Sequence, residues 1–391
     1  MAKRGNGEGT IYYSEKLNKW VGQFTAGRKA DGSLNRKSVY GNTRKEVKEK
    51  MTKALSEVQN KTYIEKNDIT IVNLGQQIID NKFNANIITE ATYNRALSTF
   101  EHIKSSNIAN QKIQLVTIEE LQNFINSKKD YANSYIDKIY EMLGKIFKEA
   151  IARDIIVKNP LEKVIKPKST KEDKEIVSLS IEEQKAFIES LKDEPYKNIF
   201  LIALHTGMRI GEILALTPED IDLENKLISI KNTLTKNIQG KVIIGSRTKT
   251  YESKRKIPIT IILEPILQDS ITNYISNKNN LLFCHLNGNI IAPATINSNF
   301  KRICKNAGIK VITRPLKRAG KTINLKTSEA NTHMLRHTYA TRCIEAGIPA
   351  PVLQKLLGHK DISITINTYT TIFNKFKENA LNNYINYIQN I

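Results

Sequence analysis

The spacing of apolar positions changes twice along the chain. Over the first 60 residues, short β-branched and aromatic runs at 9–13, Trp20–Phe24 and Lys37–Tyr40 alternate with turn residues at Asn18 and along Arg28–Asn35. That pattern predicts a three-stranded sheet with Trp20 in its core. A charged helix from about Thr43 to Asn60 follows, where Thr43 and Glu46 have capping-box spacing. From 68 to 158 the period becomes helical and predicts a four-helix bundle. Asp68 is the expected cap of the first helix. The second spans Ile87–Ser105, with Thr89 a cap within its first turn, and Thr117-Ile-Glu-Glu120 opens the third. The fourth, Asn133 to Arg153, aligns Ile136, Ile139, Tyr140, Leu143, Ile146 and Phe147 on one face as ordinary bundle core.

The stretch from Asn159-Pro160 to Lys174 holds Pro167 and charges of both signs and reads as a linker. Ser180-Ile-Glu-Glu183 then opens a new segment of mixed character. Helices are expected over 180–191, 195–204 and 208–216, strands at Leu227–Lys231, Lys241–Ile244 and Lys256–Ile259, and helices over most of the rest. The run Phe373–Ile391 is helical in pattern, with Phe376, Leu381, Tyr384 and Tyr387 available to pack at home or on a neighbouring protomer. At 391 residues the chain exceeds one ordinary core. The expected fold is multidomain: a small β-sheet plus helix over 1–62, an all-α helical bundle over 68–158, a linker over 159–176, and an α+β, mainly helical domain with a small antiparallel sheet over 177–391.

Charge changes this picture from architecture to partner. The net charge is +21, and it is clustered. Residues 1–60 hold 13 Lys/Arg against 6 Asp/Glu, residues 241–260 hold 6 against 1, and residues 301–330 hold 9 against 1. Patches of that kind are the footprint of a polyanion, here nucleic acid. Arg28, Arg36 and Lys37 in the first patch, Lys254, Arg255 and Lys256 in the second, and Arg314, Lys317 and Arg318 in the third are the expected DNA contacts. There is no basic amphipathic helix to favour a membrane surface and no run of eighteen apolar residues, so a soluble, cytoplasmic protein is expected. Cys284, Cys304 and Cys343 lack metal-site spacing and read as small hydrophobes in a reducing compartment.

Candidate chemistry is concentrated after residue 200. In Thr206-Gly-Met-Arg209-Ile-Gly-Glu212 a turn feeds a helix, with Arg209 offering a planar, two-pronged grip on phosphate oxygens and Glu212 placed to orient it. Arg247 to Lys256 joins two strand-like runs as the expected tip of a long hairpin, from which Lys249 reaches a DNA groove. His333 and Arg336 open a further helix and share a face, while His337, one position round, reads as structural. Gly347 suits that helix's end. Val352–Leu357 is a short helix stopped by Gly358, which presents His359, and Tyr369 follows ten residues later.

Together Thr206–Glu212, Lys249, His333-x-x-Arg336, Leu357-Gly358-His359 and Tyr369 resemble the tyrosine recombinases, especially the integrases of phages and conjugative elements. The resemblance implies an arm-site DNA-binding domain, a core-binding domain and a catalytic domain, in that order. It implies Tyr369 as nucleophile on a DNA phosphate, Arg209 and Arg336 as stabilisers of the five-coordinate transition state, and Lys249 as general acid. His333 would assist proton transfer and His359 would hydrogen-bond the phosphate. It implies no cofactor and no metal, double-stranded DNA as the partner at core and arm sites, a homo-tetramer on that DNA, and accessory directionality and DNA-bending proteins as further partners. Against that pattern, the basic stretch Thr313–Thr327 looks like an insertion, an extra DNA-contacting loop or hairpin.

Two rivals share part of this reading. A non-catalytic DNA-binding regulator explains the patches but does not need Arg209, His333, Arg336, His359 and Tyr369 together. A type IB topoisomerase shares the tyrosine chemistry, but relaxation has no need of a second DNA address at 1–60. A metal nuclease is disfavoured because the basic domain lacks an acidic cluster at metal-ligand spacing.

Overall fold

The computed structural model describes residues 9–28, 31–60, 63–171, 177–246, 255–318 and 321–375, with 381, 384–385 and 388–389 of the C-terminal run. The chain divides into two compact units, Met1–Asp173 and Lys174–Ile391.

In the first unit, β1 (Thr10–Ser14), β2 (Lys19–Arg28) and β3 (Leu34–Gly41) form an antiparallel sheet in sequence order. Asn18 makes the first turn in the left-handed conformation, which asparagine tolerates. Helix α1 (Arg44–Gln59) starts at Thr43, whose hydroxyl accepts from the Glu46 N–H, and packs Met51 and Ala54 against Phe24. Trp20 is only half-buried, edge-on to Tyr13, so the expected core role passes to Val21 and Phe24. Trp20 shares the face of Phe24 by strand alternation, but its cross-strand partner is the exposed Tyr13. Tyr12, Tyr13 and Tyr40 are exposed.

The bundle consists of α2 (Ile71–Asn84), α3 (Glu90–Lys104), α4 (Ile118–Asn126) and α5 (Asn133–Ala152). Thr70, not Asp68, caps α2 by accepting from the Asn73 N–H, while Asp68 pairs with Lys112. The Thr117–Glu120 capping box is present. Ile136, Ile139, Leu143, Ile146 and Phe147 of α5 are buried as their spacing predicts.

The expected linker is partly core. Leu161 and Val164 are buried among the bundle side chains. The Tyr140 hydroxyl donates toward the carbonyls of Leu161 and Val164 at 3.0 and 3.2 Å, and the Ile165 N–H donates to Gln122 at 2.8 Å. Two apolar side chains placed between prolines were enough to dock the segment as a strap.

The second unit is mainly helical with small antiparallel sheets. Helices α6 (Ile181–Glu189), α7 (Lys197–Thr206) and α8 (Ile210–Ile213) precede strands β4 (Ile221–Asp222), β5 (Leu227–Ile230), β6 (Asn232–Lys236), β7 (Val242–Ser246) and β8 (Arg255–Pro258). Next come α9 (Leu263–Thr272), α10 (Pro293–Asn306), β9 (Val311–Arg318), β10 (Lys321–Ser328), α11 (His333–Glu345), α12 (Ala350–Leu357) and α13 (Ile362–Lys375). Ser180 and Glu183 cap α6 reciprocally. Helix α7 is apolar nearly all round and runs through the core, where Phe200 meets Phe187 and Phe300.

Two expectations change here. The helix expected over 208–216 is a single turn, because Arg209 is extended and acts as its cap. Of the run expected as a hairpin tip, 247–254 lie outside the described residues; among the described residues the flanking strands do not pair with each other, since β7 pairs with β6, and β8 pairs with β5 in the sheet β4-β5-β8. The basic stretch at 313–327 forms an antiparallel β9–β10 hairpin, with Val311 opposite Ser328 and Arg318 opposite Lys321.

Candidate active site

Arg336 is the hub. It lies in the first turn of α11, 2% exposed, and its guanidinium donates to the Gly207 carbonyl at 2.8 Å and the Leu357 carbonyl at 2.7 Å. Those carbonyls belong to the ends of α7 and α12, so one side chain ties three helices together. Burial, with Arg209 adding to it, lowers its pKa to about 9, and it stays cationic at neutral pH.

Two glycines make the hub possible. Gly207 ends α7 with φ +63°, and a Cβ there would lie 2.5 Å from the Tyr339 ring. Gly358 ends α12 with φ +65°, and a Cβ there would lie 2.8 Å from the Arg255 guanidinium. Both positions require the left-handed conformation and a close approach that only glycine permits.

Arg209 caps the single turn of α8. Its guanidinium donates to Glu212 Oε1 at 2.9 Å, and its own N–H donates to Glu212 Oε2 at 3.0 Å. Glu212 is 1% exposed and also takes Arg255, which donates to Oε2 at 2.8 Å. The carboxylate is thus an orienting anion held between guanidiniums, not a solvated surface group. Arg255 was expected as a phosphate clamp; instead its side chain is largely buried and also donates to the Leu356 carbonyl at 2.9 Å. Its neighbour Lys256 is exposed and lines a groove with Lys355, His359 and Lys360. Strand alternation turns Arg255 inward and Lys256 outward.

His333 opens α11 with an exposed edge. Desolvation of the rest of the ring, then Arg336 and Arg209, lower its pKa. His359 follows Gly358, and its Nδ1 is 2.8 Å from the hydroxyl of Thr365, which is fully buried. Burial, then the arginines 336, 209 and 255, hold this imidazole down to about 4, so it is neutral at pH 7.

Tyr369 lies in α13 at a break in the helix, with φ −118° and ψ 17°. The residue is 1% exposed, packed with Ala340, Cys343, Leu353 and Leu357. Burial pushes the phenol up to about 12, against the pull of Arg336. Its hydroxyl is 2.9 Å from His337 Nδ1. His337, expected to be structural, therefore touches the candidate nucleophile. Burial, then His333 and Arg336, hold this ring down to about 4. The signal that could have found it is its place four residues after His333, which puts the two rings edge-to-face at 4.7 Å. Thr365 was also missed; it stands four residues before Tyr369, on the same face of α13.

Arg209, His333, Arg336, His359 and Tyr369 thus converge. Lys249 and Lys254 lie outside the described residues, and the side chains of Arg314, Lys317 and Arg318 do as well. In the first unit Arg28 and Arg36 are exposed, Arg28 donating to the Gly32 carbonyl, whereas Lys37 is partly covered and paired with Glu65. Among the described residues no three His, Cys, Asp or Glu side chains are grouped to hold a metal ion, and no helix is long and apolar enough to cross a membrane.

Two guanidiniums and two imidazoles gathered with a tyrosine make up an arrangement suited to attack on a phosphodiester. Residues 177–375, which include every member of that cluster, match the phage integrase family, and the chain belongs to it. It is a tyrosine-type site-specific recombinase. A tyrosine recombinase XerC-like protein of Caldanaerobacter subterraneus subsp. tengcongensis is 28% identical, over 97% of this chain and 98% of that protein. The integrase of Staphylococcus phage L54a is 27% identical over 73% of this chain and 83% of its own length. In fold, the chain is similar to the Tn1549 transposon integrase solved with a circular intermediate DNA (TM-score 0.64, 24% identity, 77% of this chain and 94% of that one). It is similar also to a lambda integrase tetramer solved on a Holliday junction (TM-score 0.54, 18% identity, 90% and 95%).

Proposed function

We propose that this recombinase integrates or excises a mobile element by cutting and rejoining DNA through a 3′-phosphotyrosyl intermediate. The observation that carries the proposal is the buried Arg336 bridging Gly207 and Leu357, because Arg209, His333, His359 and Tyr369 all lie within its electrostatic reach. In the first step the Tyr369 oxygen bonds to phosphorus and the bond to the 5′-oxygen breaks. Arg209 and Arg336 neutralise the charge that builds on the phosphoryl oxygens, the work that metal ions do in other phosphoryl-transfer sites. Lys249 gives a proton to the leaving 5′-oxygen, His333 assists removal of the phenol proton, and His359 donates to a phosphoryl oxygen. A neutral imidazole remains a donor through its one N–H, and with Nδ1 taken by the Thr365 hydroxyl, Nε2 is the nitrogen left for the phosphate.

The phosphotyrosine stores the phosphodiester bond's energy, so a 5′-hydroxyl from another strand reverses the step without ATP. Exchange of one strand pair then gives a Holliday junction. Pairing two sites calls for four copies on DNA, a reading supported by the fold likeness to the lambda integrase tetramer on such a junction. Accessory directionality and DNA-bending proteins belong to the same proposal. The sheet at 10–41, with exposed Tyr12, Tyr13 and Tyr40 and exposed Arg28 and Arg36, is proposed as the arm-site reader, the bundle as the core-site reader, and the β9–β10 hairpin as an added DNA contact. A core site nicked next to the cleavage point traps the adduct. Wild type is expected to form a covalent complex and Tyr369→Phe none; an adduct that persists in that variant sinks the assignment.

A further inference from the structure

The proposed chemistry uses His333 and His359 and leaves His337 without a task, yet His337 is the side chain bonded to the nucleophile. The Tyr369 hydroxyl meets His337 Nδ1 at 2.9 Å while the tyrosine is 1% exposed. A phosphorus atom shielded by its oxygens must come within roughly 3–3.5 Å of the attacking oxygen, in line with the leaving group. An oxygen enclosed by protein cannot meet it, so the nucleophile has to leave this place before it reacts.

We infer that His337 is a positioning residue that holds the Tyr369 hydroxyl retracted in the DNA-free protein and sets how readily it is released. The inference rests on Tyr369 being the nucleophile. Three observations support it besides the bond itself. Helix α13 is broken at Tyr369, so the turn that carries the tyrosine is already discontinuous with the helix. The phenol ring sits in a cluster of Ala340, Cys343, Leu353 and Leu357, and among the described residues the hydrogen-bond partner of its oxygen is His337. The His337 ring is itself fixed, edge-to-face against His333 and next in sequence to the buried Arg336.

The protonation states say what kind of bond this is. His337 is held down to about 4 and Tyr369 up to about 12. A neutral ring with its proton on Nε2 leaves a lone pair on Nδ1 to accept the tyrosine O–H, but the proton stays on the phenol. The contact tethers the nucleophile without ionising it. Release on DNA would let the phenol move toward the guanidiniums of Arg209 and Arg336.

The test uses the full chain without DNA and measures acetylation of Tyr369 by N-acetylimidazole, read by peptide mass spectrometry, with exposed Tyr12 and Tyr13 as internal references. His337→Phe keeps the ring but lacks the acceptor, and is expected to speed labelling about tenfold, whereas His337→Asn, which returns a polar atom near the position of Nδ1, should stay within about twofold of wild type. On the nicked substrate the Phe variant should still form the adduct, with an earlier onset. Phe labelling at the wild-type rate overturns the inference. So does an Asn variant that labels as fast as Phe, because general loosening, not the bond, would then be the cause. From the other side, Tyr369→Phe should shift the His337 ring nitrogen resonances; unchanged resonances also overturn it. Failure of the nucleophile reading would be seen separately, as an adduct surviving in Tyr369→Phe.

Discussion

Glu212 Oε2 accepts a hydrogen bond from the Arg255 guanidinium at 2.8 Å, across 43 residues of sequence and with both side chains largely buried. The same carboxylate holds Arg209, so the proposed phosphate grip is oriented by a charge that a second arginine, Arg255, stabilises. A pair this dry loses more when one partner is removed than it contributes as a surface bridge.

Arg255→Met should therefore act on stability and not on DNA affinity. A loss of about 3 kcal/mol is expected in urea unfolding, with the slope of log K against log salt unchanged. For a true phosphate contact the slope would fall by roughly one. Lys256→Met, on the outward side of the same strand, should give the opposite result: little change in stability and a flatter slope.

The site histidines impose a pH dependence on stability. His337 and His359 are each held down to about 4 in the folded chain, against about 6.5 when unfolded. Below pH 6.5 the unfolded state then binds more protons than the folded one, so stability falls as pH is lowered from about 6.5 toward 4 and is fully present above that window. Urea midpoints at pH 7.5 and 5.0 measure the loss. His359→Phe should shrink it, since the group that takes up the proton is gone; an equal loss in the variant would contradict the cause assigned.

The strap after the bundle makes a third expectation. Leu161 is 2% exposed among bundle side chains, so Leu161→Ala should cost about 2–4 kcal/mol, as a core truncation does. A free linker would tolerate the change within about 0.5 kcal/mol. Thermal unfolding of the full chain, followed in the transition that melts the bundle, separates the two.

How far the fold could be read in advance depended on the range of the interaction. The capping boxes at Thr117 and Ser180, the buried stripe of α5 and the glycine stops at Gly347 and Gly358 lie within one or two turns, and each formed as the spacing predicts. Asp68 failed as a cap because Thr70, two residues on, was equally able to accept the first free N–H groups. The partners of the strands flanking 247–254 were not legible, because strand partners are chosen by the sheet: β8 joined β5, and β7 joined β6.

The sequence by itself determined the chemical inventory: Arg209, His333, Arg336, His359 and Tyr369 in order, the patches of positive charge, and hence the family. Burial and pairing decided the division of labour within that inventory. Arg255 and Lys256 are adjacent and both basic, but strand alternation sent one to Glu212 and the other to solvent. His333 and His337 are both histidines on one helix, and only the packing of α13 brought His337 to the Tyr369 hydroxyl. Local rules act over a few residues through backbone hydrogen bonds. Whether a charge ends in water, in an ion pair or against a phenol is settled by contacts 30 to 130 residues away in the chain, such as Arg336 to Gly207, which exist only once the unit has closed.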